Sequence, residues 1–105
     1  MEIKETSAFT RRIKQILDEE SYRLLQVHLV HRPDAGDVIR SSGGIRKIRW
    51  GAKGSGKRGG ARVLYYWAVD ENTILMLFAF AKNEQSDLSP SQLRTLAEIV
   101  KEEYK

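Results

Sequence analysis

Cysteine is absent from this 105-residue chain, so it holds neither a disulfide nor a thiolate metal site, and no thiol nucleophile. Long apolar runs are missing too. The longest, Ile74 to Ala81, is shorter than the about 20 residues that a membrane span needs. No apolar stretch of about 7–15 residues follows the N-terminus as a secretory signal would require. A cytoplasmic protein with no membrane partner is expected. Proline occurs twice, and each one marks a boundary: Pro33 after a helical pattern and Pro90 before one. G-x-S-x-G and H-E-x-x-H are also absent, which removes the commonest hydrolase and metalloprotease signatures.

The most informative absence concerns charge. No acid occurs between Asp37 and Asp70, an interval that holds Arg40, Arg46, Lys47, Arg49, Lys53, Lys57, Arg58 and Arg62. Eight of the 18 cations are gathered there, leaving ten to set against all 14 acids. Clustered cations suit a polyanion, because each phosphate contact releases condensed counterions.

What is present predicts one domain over residues 1–105, with a single hydrophobic core. "MEIKET" alternates like an edge strand. Thr6 or Ser7 then caps a helix whose Phe9, Ile13, Ile16 and Leu17 share one face. A second helix aligns Tyr22, Leu25 and Leu29 and stops before Pro33, and "PDAGDVIRSSGG" reads as a loop. Three strands follow, Ile45–Trp50, Ala61–Val69 and Thr73–Ala81, with the last apolar on both faces and hence interior to the sheet. "SPSQ" starts the final helix with Ser89 as cap, Pro90 in the first turn and Gln92 closing a capping box. Leu93, Leu96, Val100 and Tyr104 form its buried stripe. The order βααβββα describes an α+β fold, helices packed on a mostly antiparallel sheet.

"GAKGSGKRGG" nearly spells a phosphate-binding loop, but Arg58 stands where Ser or Thr should bind magnesium. The stretch also leads into a strand, whereas a phosphate loop must lead into a helix N-terminus. It reads instead as a cationic hairpin loop. His28 and His31 lack a third ligand nearby, so no metal is assigned. Along the strands, period two puts Lys47 and Arg49 on one face and Ile48 on the other. Arg62, Leu64 and Tyr66 open the next strand, and Lys82 and Glu84 leave the last one. Cations with one carboxylate suit metal-free RNA cleavage by the 2′-hydroxyl: charge stabilisation by Lys and Arg, proton transfer by lysine or glutamate. The same cluster also suits plain backbone binding. Tyr65, Tyr66 and Trp67 are aromatics that can stack on bases, although they alternate faces.

Three blocks, "GDVIRSSGGIRKIRW", "GKRGGARVLYYW" and "FAKNEQSDLSPSQ", make the chain resemble the RelE/HigB-type toxins of bacterial type II toxin–antitoxin systems, the HigB branch most closely. The resemblance implies a ribosome-dependent mRNA endonuclease that inhibits translation, without metal or cofactor. Its catalytic positions fall on Lys47, Arg49, Arg62, Lys82 and Glu84. RNA or ribosome contacts fall on Arg46, Lys53, Lys57, Arg58, Tyr66 and Asn83. Two departures stand out: Asn83 replaces a second RelE arginine, and the catalytic tyrosine position lands near Ser89. The RelE proton-transfer scheme therefore does not carry over, and Lys82 and Glu84 become the candidates. Implied partners are the 70S ribosome with mRNA, and a cognate antitoxin from the adjacent gene, expected to carry a helix-turn-helix. Operator DNA would be met only through that complex. A ParE-like gyrase poison and a non-catalytic RNA-binding module are the alternative readings.

Overall fold

The computed structural model describes residues 1–51 and 60–105. The elements are β1 (Glu2–Glu5), α1 (Ser7–Ile16), α2 (Glu19–His31), β2 (Asp37–Val38), β3 (Arg46–Trp50), β4 (Ala61–Ala68), β5 (Thr73–Ala81) and α3 (Pro90–Tyr104). They form an α+β fold around a five-stranded sheet in the order β1-β5-β4-β3-β2. The β1–β5 pair is parallel and the other three pairs are antiparallel. Among the described residues no helix is long and apolar enough to cross a membrane.

Local chemistry accounts for the boundaries. Thr6 caps α1, its hydroxyl accepting from the Phe9 N–H, and Asp18 caps α2 through the Ser21 N–H. Ser89 and Gln92 close the expected capping box at α3 behind Pro90. The β4–β5 turn uses Asn72 at φ 51°, a left-handed conformation that asparagine tolerates.

Each strand's alternation divides the sheet between two apolar layers. Phe9 and Ile13 of α1, its capping residue Leu17, and Leu25 and Leu29 of α2 bury against Ile48, Ala61, Val63, Tyr65, Ile74 and Met76. Leu96 and Val100 of α3 bury against Ile45, Leu64, Leu75, Leu77 and Phe80 on the opposite face. The single core expected from the sequence is thus two clusters back to back. Full burial of such side chains stabilises by about 1.5–3 kcal/mol each, enough to fix which face every strand residue takes. β5 lies inside the sheet, as its two apolar faces require.

The second correction is β2, in the stretch expected to be loop. Asp37 pairs with Lys47 and Val38 with Arg46. A two-residue strand is too short to show alternation, and tertiary bonds hold it. The buried Tyr65 hydroxyl accepts from Gly36 N–H at 2.8 Å and donates to the Pro33 carbonyl at 2.8 Å. A Cβ on Gly36 would meet that ring at 2.9 Å, so glycine is required. Arg46 Nη1 donates to the carbonyls of Asp34 and Gly36 at 3.2 and 2.8 Å.

Tyr65→Phe should therefore cost about 1–3 kcal/mol, because the Gly36 N–H loses its buried acceptor. Urea unfolding measures this, and an unchanged midpoint would contradict the clasp.

Candidate functional site

β3 and β4 bring the predicted cations together. Arg49 pairs directly with Arg62 across the ladder, and Lys47 pairs with Leu64, so all three side chains share the face that carries Ile45 and Leu64. Arg62 is opposite Phe80 of β5 on its other side. Like charges directly opposed across a strand pair repel, so this arrangement opposes folding locally.

Arg62 is the most constrained of the three. Only 7% of it is exposed, against a half-buried Lys47 and an exposed Arg49. Among the described residues, its Nη1 is the one buried side-chain polar atom with no hydrogen-bond partner. Burial, and then the Arg49 charge, push its pKa below the ordinary arginine value, while Asp87 draws it upward. Beside it a cavity of about 210 Å³ is lined by Arg49, Trp50, Gly51, Gly60 and Arg62. Gly60 keeps the strand ends close at its mouth: a Cβ there would stand 2.8 Å from the Trp50 carbonyl oxygen.

The carboxylate facing these cations is Asp87, a residue the sequence reading did not select. Its Oδ1 accepts from Lys47 Nζ at 3.1 Å and from the Leu88 N–H at 2.8 Å. Those bonds, the Leu88 N–H foremost, hold its pKa below the usual carboxylate range, with Arg62 adding to the effect. Its position just ahead of the capping Ser89 was readable, but its meeting with a residue 40 positions away was not.

Glu84 is engaged elsewhere. Its Oε1 accepts from the Ala81 N–H at 2.8 Å and pairs with the Arg12 guanidinium. The Ala81 bond first, and Arg12 after it, lower the Glu84 pKa. Arg12 also donates to the Ala79 carbonyl at 3.2 Å and lies over the Phe78 ring. Arg12 and Glu84 together thus satisfy the end of β5 beyond the reach of β1. Lys82 and Asn83 are exposed in the turn after β5, next to the Ala61–Ala81 pair.

The other predicted contacts are dispersed. Arg46 is on the face opposite Lys47, bound to the 34–36 carbonyls. Tyr66 stacks on Tyr104 of α3 at 5.5 Å, with Lys105 Nζ over its ring. Lys53, Lys57 and Arg58 lie outside the described residues. His28 packs against Trp50, and His31 Nδ1 is 2.9 Å from the Val27 carbonyl oxygen.

The cluster is thus cationic and partly buried. Residues 1–105 match the family described as the RelE toxin of the RelE/RelB toxin–antitoxin system. This chain belongs to the RelE toxin family. Its structure is similar to that in the intact E. coli RelBE toxin–antitoxin complex, with a TM-score of 0.57 and 13% identity over 74% of this chain and 92% of that one. It is also similar to free E. coli RelE carrying two arginine-to-alanine substitutions, with a TM-score of 0.55 and 15% identity over 93% and 94% of the two chains. At these identities the likeness carries the RelE fold: three helices with a mostly antiparallel sheet.

A buried guanidinium nitrogen with no hydrogen-bond partner among the described residues should cost the RelE-family chain stability. Arg62→Met should raise its unfolding free energy by about 1 kcal/mol or more, since the methionine keeps the apolar stem against Phe80. Denaturant unfolding tests this, and a loss of stability would mean that the guanidinium is satisfied in solution.

Proposed function

We propose that the chain is the toxin of a toxin–antitoxin pair and cleaves ribosome-bound mRNA, by 2′-hydroxyl attack and without a metal. The observation that carries this is the facing Arg49–Arg62 pair, with Arg62 Nη1 buried and, among the described residues, without a hydrogen-bond partner beside a cavity. Such a seat suits a phosphate oxygen. As the 2′-oxygen adds to phosphorus, negative charge builds on the non-bridging oxygens, where Arg62 and Arg49 donate, with Lys47 as the third cation. The products are a 2′,3′-cyclic phosphate and a freed 5′-hydroxyl, with one proton leaving the 2′-oxygen and one reaching the 5′-oxygen. Lys82 is the candidate to move a proton. The bonds of Glu84 to Arg12 and Ala81 favour a different part for it, fixing the turn that carries Lys82.

The order of Lys82, Asn83 and Glu84 supports the HigB branch. Around the cut, Lys53, Lys57, Arg58 and Asn83 supply charge or hydrogen bonds to ribosomal RNA and message. The cognate partner is an antitoxin that neutralises the cation cluster, encoded beside the toxin and linking it to operator DNA. The setting for all of this is the cytoplasm.

Expression without the antitoxin should arrest growth, and translating ribosomes given the protein should yield new mRNA 5′ ends at the decoding site. Arg62→Ala should remain folded and lower the cleavage rate by about 10²–10³, the usual loss for a transition-state donor. Growth arrest with intact message would favour a ParE-like action. Binding without cleavage would favour an RNA-binding module. Full toxicity of Arg62→Ala would overturn the site.

A further inference from the structure

Resting on that reading, we infer that Asp87 is an internal stand-in for RNA phosphate: it occupies Lys47 in the free toxin and is displaced when message enters. The first support is geometric. Asp87 Oδ1 is 3.1 Å from Lys47 Nζ, within hydrogen-bond reach but longer than a tight charge-assisted bond of about 2.7–2.9 Å, so it holds the place a phosphate oxygen could take more closely.

The second is that the carboxylate is held there by its own loop. The Leu88 N–H donates to the same oxygen at 2.8 Å. Gln85 Nε2 donates to the Asp87 carbonyl at 2.8 Å and to Gln92 Oε1 at 2.9 Å, tying the loop to the capping box of α3. Asp87 is therefore delivered to Lys47 by the start of a helix rather than by a wandering side chain.

The third is strength. The Asp87 side chain is 62% exposed and that of Lys47 33%. A solvated pair of this kind holds weakly, so a phosphate can replace the carboxylate at small cost. Among the described residues Arg62 Nη1, by contrast, has no partner to give up. The cluster thus has one seat open, at Arg62, and one occupied, at Lys47. Loose RNA then meets Arg49 and Arg62 with Lys47 already engaged, and a message already positioned by the ribosome can take that third cation.

The test is binding of a single-stranded oligonucleotide that is 2′-deoxy throughout, so that cleavage plays no part, across a salt series. Asp87→Asn keeps the acceptor for the Leu88 N–H but frees Lys47. It should bind about 1.5- to fivefold tighter at low salt, the range an exposed ion pair allows. Its log–log salt slope should steepen by about 0.7, one more counterion site released from a single strand. A loop-stabilising role alone predicts weaker binding at an unchanged slope, and that result would overturn the inference. Arg62→Ala in the same assay separates the two claims. If it weakens binding while Asp87→Asn leaves affinity and slope unaltered, only the stand-in role fails. If it binds as wild type does, the nucleic-acid site itself fails, and the inference with it.

Discussion

Two arginines held face to face across a strand pair are the constraint around which this structure is organised. Arg49 and Arg62 repel one another, and Arg62 is taken out of water with no partner for Nη1 among the described residues. Nothing local favours that arrangement. It persists because Ile48 and Val63, the neighbouring pair in the same ladder, are buried on the opposite face under α1 and α2. A one-residue slip of β3 on β4 would turn Ile48 from its buried layer to the opposite face. Apolar packing on one side of the sheet therefore enforces unfavourable electrostatics on the other, a pattern expected of a site shaped for a ligand.

The cationic block does not act as one surface. Of its members, Arg46 fixes the 34–36 segment and so anchors β2, whereas Lys47, one residue on, belongs to the cluster. α3 divides the functional face in turn. Leu96 and Val100 pack in the layer with Leu64 and Tyr104 stacks on Tyr66, while the loop leading into the same helix delivers Asp87 to Lys47, the cross-strand partner of Leu64. One helix both closes the core and sets the charge of the site.

Much of this was legible in the sequence because it depends on near neighbours. The α3 capping box spans four residues, the α1 stripe follows the helical period, and period two assigns Lys47 and Arg49 to one face. What escaped depends on residues far apart. β2 exists through Tyr65 and Arg46, distant in sequence from the segment they hold. Glu84 follows Lys82 in sequence, and its bond to Arg12, 72 positions away, is not readable from its neighbours. Asp87 was passed over because nothing adjacent announces Lys47. Tyr66 looked available for stacking, and its ring is taken by Tyr104. Periodicity tells which way a side chain points, and only the tertiary fold tells what it meets.

The central claim is that Arg62 Nη1, without a partner among the described residues, awaits a phosphate. Its most direct test is denaturant unfolding of the full chain with and without an uncleavable 2′-deoxy oligonucleotide at about 100 times its wild-type dissociation constant. Linkage then predicts that the oligonucleotide stabilises the wild type by about 2.7 kcal/mol. Arg62→Met, lacking the donor, should gain much less at the same oligonucleotide concentration. Equal stabilisation of the two proteins would mean that nucleic acid binds elsewhere, and the account of this site would be wrong.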